Sequence, residues 1–461
     1  MSPEEFRAAA HEAVDWIAAY LRDARQYPVL PPIEPGQLID RLPQSGPEQG
    51  EPIEAILRDF RELIVPATTH WNHPRFLAYF ANSASGPGIL GEMLCAALNS
   101  NHMIWKTGPA AAELEQVALG WLRQWLALPE EFFGTIHDTA STATMHAIMA
   151  AREAAAPQIR IAGEHPPLVL YASEHANFSV DRAALVAGIG LNHIRHVAAD
   201  QEFRMRPEAL EAAILSDLAA GNQPFCVVPT LGTTSSASLD PLPEIAPIAR
   251  RYRLWLHVDA AYAGPAAMLQ EYKHILNGAE TADSLVVNPH KWLFTPLDLS
   301  ILYTRRPEVF RRALSLERTP AYIGAAGLGR AVNFSEYSLS LGRRFRALKL
   351  WFVLRYYGRE GIEKILREHM RIARELAAWI RGDPHFELAA PVRFSLVCFR
   401  FRGTDEQNRR LLDRVNATGE AFLSGAELNG RFILRLAIGN IGTAEADVEA
   451  VWRLLKRQAA S

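Results

Sequence analysis

The chain has 461 residues, 49% hydrophobic and 21% charged, enough for two or three domains that share buried cores. Its 48 Lys and Arg against 51 Asp and Glu leave a formal charge of −3, which excludes a one-signed surface for coating nucleic acid or holding an anionic membrane. Cys95, Cys226 and Cys398 are an odd count, far apart and each in an apolar stretch, so they build neither a disulfide framework nor a CxxC metal clamp and read as thiols of a reducing compartment.

Ser2-Pro3-Glu4-Glu5 is a helix start, with a capping serine, proline at the first helical position and glutamate three residues after the cap. Phe6, Ala10, Ala13, Val14, Ile17 and Leu21 follow at helical spacing up to Tyr27-Pro28. The acidic start lacks the basic-then-apolar layout of a signal peptide, and no apolar run reaches the length of a membrane span, so a cytoplasmic protein is expected. Residues 28–52, dense in Pro, Gly and Gln, are expected to be irregular. A surface helix with a long extended connection suits an arm across a partner subunit, or a tethered extension on a monomer.

The middle of the chain alternates β-rich runs with helical patterns. Leu168–Ala172, Phe225–Val228, Leu254–Val258 and Ser284–Val287 read as strands buried on both faces. Pro207–Leu218, closed by Gly221, and Pro243–Tyr252 read as the helices between them. This pattern predicts a mostly parallel sheet covered by helices. Ala347–Tyr357 is strongly helical, and beyond it Leu396–Phe399 and Phe432–Leu436 read as strands of a smaller α+β domain.

In open α/β sheets, sites form beyond the carboxyl ends of strands. After Ile136 comes His137-Asp138-Thr139-Ala140-Ser141-Thr142-Ala143-Thr144, with the helix expected from Met145. Small hydroxyl residues there make an anion site, or Thr139 or Ser141 simply caps the helix. His257 and Asp259 sit two apart on one strand and face the same way. A carboxylate in that place suits a protonated pyridine nitrogen; a metal reading lacks further ligands, and His70 and His73 belong to an aromatic stretch. Leu231-Gly232-Thr233-Thr234-Ser235 is a hydroxyl-lined turn, not a P-loop. Lys291, in Asn288-Pro289-His290-Lys291-Trp292, follows a buried strand, where desolvation frees a neutral amine for Schiff-base chemistry. An anion site, a carboxylate, a hydroxyl-lined turn and such a lysine on one sheet edge are the parts that pyridoxal phosphate requires.

With His257-Val258-Asp259-Ala260-Ala261-Tyr262-Ala263-Gly264 upstream of that lysine, the chain resembles the group II pyridoxal-phosphate decarboxylases, and within them the aromatic-L-amino-acid decarboxylases. The resemblance extends over Thr69-His70-Trp71-Asn72-His73-Pro74, Ala78-Tyr79-Phe80, Glu113-Leu114-Glu115, Leu231–Thr234 and Leu341-Gly342-Arg343-Arg344-Phe345-Arg346. It implies a fold-type I, aspartate aminotransferase-like α/β enzyme. That enzyme would have an N-terminal helical arm (1–85) packed on the partner subunit, a large cofactor domain (86–345) and a small C-terminal domain (346–461). It further implies a homodimer with active sites at the interface, acting on an aromatic L-amino acid and releasing the amine and CO2. Lys291 would bond to the cofactor aldehyde and Asp259 would pair with the ring nitrogen. Ala140, Ser141 and Asn288 would hold the phosphate, with Thr234, Ala261 and His290 beside the cofactor. Gly342 would lie near a phosphate across the interface. Trp71, Tyr79, Phe80 and Asn82 would shape the substrate pocket, Asn82 standing where the family often has threonine.

The chain departs from the family in His175-Ala176-Asn177-Phe178-Ser179-Val180, which places Asn177 where a histidine usually covers the ring. Asparagine neither stacks as imidazole does nor shuttles protons near neutral pH. Asn177 resembles the family's aldehyde synthases, in which the carbanion left by CO2 loss is oxidised by O2 instead of protonated; alternatively His175 takes over. Tyr322, in Pro320-Ala321-Tyr322, matches the loop tyrosine that protonates Cα if two residues are inserted before it. An aminotransferase using Arg435 as a carboxylate clamp and a catalytically silent scaffold are the weaker alternatives.

Overall fold

The computed structural model describes residues 1–163, 166–315 and 330–460. They group into two compact units: Asn82–Arg371 with Ala390–Leu396, and Met1–Ala81 with Ile372–Ala389 and Val397–Ser461.

The first unit is built on seven strands: β1 (Phe133–His137), β2 (Leu168–Ser173), β3 (Ile194–Val197), β4 (Gln223–Val228), β5 (Trp255–Asp259), β6 (Ser284–Val287) and β7 (Ser300–Thr304). Their order is β1-β7-β6-β5-β4-β2-β3. From β3 to β6 neighbours are parallel, while β7 runs antiparallel to both β6 and β1. Every residue of β2, β5, β6 and β7 is buried, the pattern of strands covered on both faces. The helices Pro207–Ala219 and Leu242–Arg251 return the chain between parallel strands, and Gly221 takes φ +79° just past the first of them. Helix Ala140–Ala155 lies on the sheet, packing Ala143, Ala147 and Ile148 into one core with Leu170, Phe225 and Trp255. The expected α/β architecture with a mostly parallel central sheet is present.

The second unit carries a smaller sheet of β8 (Phe386–Leu388), β9 (Leu396–Phe401), β10 (Ser424–Leu428) and β11 (Arg431–Ala437), ordered β10-β11-β9-β8. Its N-terminal helix Pro3–Asp23 opens with the expected capping box: Glu5 N–H donates to Ser2 Oγ and Ser2 N–H donates to Glu5 Oε2. No residue of that helix is buried, and Phe6, Val14 and Leu21 are exposed.

Some expected boundaries differ. Residues 28–52 are not wholly irregular, because a short helix Gln37–Arg41 follows Gly36 at φ +95°. The helix expected from Met145 starts at Ala140: Ala, Ser and Thr are weak signals in sequence, yet their small side chains let the first turns lie close to the sheet, with Ala143 and Thr144 fully buried. The helical run from Ala347 extends to Arg381, broken at Gly358, whose φ of 61° and ψ of 176° are not helical.

Gly232 shows why the turn after β4 needs glycine. It takes φ +94°, and a Cβ there would lie 2.8 Å from Ala263 Cβ and 3.0 Å from Tyr262 Cδ1. Gly232→Ala is therefore expected to lower stability by about 2 kcal/mol through strain and crowding, measured by chemical denaturation of the cofactor-free enzyme.

Candidate active site

Lys291 lies in a single helical turn, Pro289–Trp292, immediately beyond β6. Its N–H donates to Asn288 C=O at 2.9 Å. The next residue anchors the turn: Trp292 is fully buried, stacks on Tyr262 at 5.2 Å and donates from Nε1 to His369 Nδ1. Tyr262 OH is in turn 2.9 Å from Ser395 Oγ. The Lys291 side chain is half-buried on a rigid base.

Asp259 ends β5. Burial pushes its carboxyl above the usual range, and the charge of Lys291 pulls it back down. Asp259 Oδ1 accepts the Ala261 N–H at 3.0 Å, and Ala261 C=O accepts the Asn288 N–H at 3.1 Å. The ends of β5 and β6 are thereby tied together, and Asp259, Ala261, Asn288 and Lys291 form one connected group. Asn288 Oδ1 accepts from Ser300 Oγ of β7 at 2.6 Å.

His257 is on the same strand, but its ring is committed inside the protein. Trp255 Nε1 donates to Ser284 Oγ, whose hydroxyl lies 2.8 Å from His257 Nδ1, and His257 Nε2 faces Thr144 Oγ1. Burial holds this imidazole down to about 3, so it is a neutral structural bridge between β5, β6 and the helix Ala140–Ala155. His290 is likewise neutral. Its Nδ1 accepts the Leu299 N–H, and burial together with the Lys291 charge lowers it to about 3. With Nδ1 accepting, the His290 proton sits on Nε2, where the ring is a donor and not a titrating acid at neutral pH.

Helix Ala140–Ala155 follows β1, and its N-cap residue Thr139 makes no side-chain capping bond. The first-turn N–H groups, including those of Ala140 and Ser141, are therefore not taken by the cap that sequence reading allowed for. Asn177, after β2, reaches the turn after β4: its Nδ2 donates to Thr234 Oγ1 at 2.9 Å, and its Oδ1 accepts the Ser179 N–H at 2.9 Å. The asparagine is held at both ends of its amide. His175 instead packs edge-on against Phe203, with burial lowering its pKa.

Trp71, Tyr79 and Phe80 belong to the second unit. There Trp71 stacks on Phe76 at 4.1 Å and on Tyr79 at 5.9 Å, and Phe422 meets Tyr79 edge-on. Arg435, weighed as a carboxylate clamp, is buried in this cluster. It donates to Ser424 Oγ at 2.7 Å and to Tyr79 C=O, and lies over the Phe80 ring. With its guanidinium so engaged, the clamp reading loses its support. Asn82 is half-buried in the first unit; Gly342, in the same unit, is exposed, and the next residue, Arg343, donates its backbone N–H to Asn101 Oδ1. Tyr322 lies outside the described residues.

Some buried polar groups carried no local signal. Asp240 accepts the Met205 and Thr230 N–H groups at 2.7 Å each and steadies the segment that bridges to Asp259. Arg343 and Glu115, quoted only as parts of motifs, form a buried ion pair at 2.7 Å.

Comparison with known proteins agrees with this geometry. The family model described as the pyridoxal-dependent decarboxylase conserved domain matches residues 35–402. Aromatic-L-amino-acid decarboxylase of Sus scrofa is 40% identical over 477 residues, covering 100% of this chain and 97% of that protein. A crystal structure of Oryza sativa TDC with PLP and tryptamine superposes with a TM-score of 0.96 at 35% identity, covering 100% of this chain and 98% of that one. Rhodiola rosea 4-hydroxyphenylacetaldehyde synthase gives a TM-score of 0.93 at 36% identity, covering 100% and 99%.

The residues present suit the cofactor those comparisons bring. A helix start without a side-chain cap accepts a phosphate, and a buried carboxylate raised by desolvation gains from a cationic ring nitrogen. The chain belongs to the pyridoxal-dependent decarboxylase family and is a carboxy-lyase that works with pyridoxal 5′-phosphate.

Proposed function

We propose that the enzyme decarboxylates aromatic L-amino acids to the amine and CO2. The observation that carries this reading is the placement of Asp259 and Lys291 beyond the ends of the adjacent parallel strands β5 and β6, in a chain similar over its whole length to aromatic-amino-acid decarboxylases. Lys291 would hold the cofactor aldehyde, Asp259 the ring nitrogen, and Ala140, Ser141 and Asn288 the phosphate, with Thr234, Ala261 and His290 alongside. Bound there, pyridoxal phosphate supplies an electron-withdrawing ring that takes up charge as the Cα–carboxylate bond breaks. The protein's part is orientation: the carboxylate must stand perpendicular to that ring, so the rest of the substrate has to be gripped. Trp71, Tyr79, Phe80 and Asn82 carry that grip in this reading, and Tyr322 delivers the proton to Cα. The exposed apolar side chains of helix Pro3–Asp23 favour a homodimer in which this arm packs on the partner, and the buried free thiols favour a cytoplasmic setting.

Asn177 supports a second reading, an aldehyde synthase in which the amino acid, O2 and water give the aldehyde, CO2, ammonia and H2O2. Held by Thr234 and Ser179, its amide has no proton to shuttle near neutral pH. Incubating the holoenzyme with L-DOPA, tyrosine, phenylalanine and tryptophan while following O2, H2O2, ammonia and amine separates the two. Amine without oxygen uptake is the expected result, and aldehyde with equimolar ammonia would replace the first reading by the second. If the second holds, Asn177→His is expected to shift the product ratio toward amine by about a hundredfold or more, the lower range of what a positioned proton carrier contributes.

A further inference from the structure

Among the described residues β1 is an edge strand, paired with β7 on one side and with no strand on the other. Backbone groups on an open edge need other partners when they are buried. At Ile136, close to where β1 gives way to helix Ala140–Ala155, those partners are side chains. The Ile136 N–H donates to Glu115 Oε1 at 2.8 Å, and the Ile136 C=O accepts from Arg343 Nη2 at 3.1 Å. The same Nη2 donates to Glu115 Oε1 at 2.7 Å, while His102 Nε2 lies 3.2 Å from Glu115 Oε2. The ion pair thus stands where a neighbouring strand would stand. Arg343, Glu115 and His102 are 7%, 1% and 1% exposed.

Stability alone does not call for such a pair, because desolvating two ions offsets most of their attraction and apolar residues of similar volume do as well. Apolar residues cannot, however, bond the Ile136 backbone. The segment that carries Arg343 is fastened independently of the pair: the Arg343 backbone N–H donates to Asn101 Oδ1, and Leu339 N–H donates to His146 Nε2, on the helix itself. Burial pushes Glu115 up, but the Arg343 charge and the His102 bond outweigh it and keep the carboxyl ionised, as both bonds require.

We infer that Arg343 and Glu115 are positioning residues of the phosphate cradle: by bonding both backbone groups of Ile136, they fix the strand end that delivers the N-terminus of helix Ala140–Ala155. The inference rests on the reading that Ala140 and Ser141 meet the cofactor phosphate, so the experiment tests both. Pyridoxal phosphate is titrated into the cofactor-free forms of the full chain by fluorescence, alongside thermal melts and kcat at saturating cofactor.

Ala140→Asp sets a carboxylate against the phosphate and is expected to weaken binding by at least about tenfold. Arg343→Lys keeps the charge but loses the planar two-way reach. It is expected to raise the dissociation constant about tenfold, the lower range for residues that hold a ligating group in place, with kcat changed less than about threefold. The paired change Arg343→Met with Glu115→Leu is expected to give the same loss of affinity together with a lower melting temperature, because both Ile136 backbone groups are left without these partners. If Ala140→Asp weakens binding while both Arg343 variants stay within about twofold of the parent, the pair is structural only and the inference falls. If Ala140→Asp binds as the parent does, the cradle reading itself falls. Should the paired variant not fold, Arg343→Lys decides alone.

Discussion

Lys291→Ala is expected to abolish turnover, by at least about a thousandfold, while leaving the fold in place. The structure separates the two effects. The turn that carries Lys291 is held by Trp292, through its bond to His369 and its stacking on Tyr262, and by the Asn288 carbonyl that accepts the Lys291 N–H. None of these involves the Lys291 amine, so truncation at Cβ leaves the turn where it was. What disappears is the amine proposed to bond the cofactor aldehyde, and with it the covalent route; the expected loss of about 10³ or more lies within the 10²–10⁴-fold that a positioned proton carrier alone contributes. The decisive measurement is mass after borohydride reduction: the parent gains the mass of the reduced cofactor and the variant does not. A second effect follows from electrostatics. Lys291 pulls the Asp259 carboxyl down, so its loss lets burial raise that carboxyl further. Retention of activity within about tenfold of the parent, with no covalent adduct in either protein, would overturn the assignment of Lys291.

The parts of the site read from sequence were those whose position alone carries meaning. Ser284–Val287 is an unbroken buried run, so the lysine after it had to stand near a strand end, and the structure puts it in the turn beyond β6, next to the strand that ends in Asp259. The same logic located Asp259 after Trp255–Val258 and the hydroxyl-lined turn after Phe225–Val228. Parts that depend on partners distant in the chain were not legible. Glu115 and Arg343 are 228 residues apart, and nothing in either local sequence names the other. Asn177 was visible as a departure from a motif, but its bond to Thr234, 57 residues on, belongs to the folded chain. The start of helix Ala140–Ala155 was misplaced because helix propensity is a weak guide where tertiary packing rewards small side chains. Arg435 suggested a clamp by type and strand position, and only folding reveals Ser424 and Tyr79 as its partners.

Asp259→Asn is expected to lower kcat by about 100- to 1000-fold, or about 3–4 kcal/mol, the range seen when a preorganised charge-stabilising group is removed. Asparagine keeps the shape and can still accept the Ala261 N–H, so the ends of β5 and β6 stay tied. It cannot keep a ring nitrogen cationic, and the electron sink weakens accordingly. Stability of the cofactor-free enzyme should move the other way. Burial raises the Asp259 carboxyl above its unfolded value, so the folded state binds this proton more tightly than the unfolded state does. The resulting stability is fully present below the unfolded carboxylate pKa and is lost as pH rises through the folded value. Above that folded value the parent carries a buried charge at this site that the amide lacks. Denaturation of the two cofactor-free proteins between about pH 4 and pH 8, a span set around the ordinary carboxylate pKa, should show the parent losing more stability than the variant as pH rises. Where Asp259 pairs with the ring nitrogen as proposed, adding pyridoxal phosphate should reverse the ranking, because only the parent would gain an ion pair on binding. An Asn variant with kcat within about tenfold of the parent would remove Asp259 from the chemistry, whatever its effect on stability.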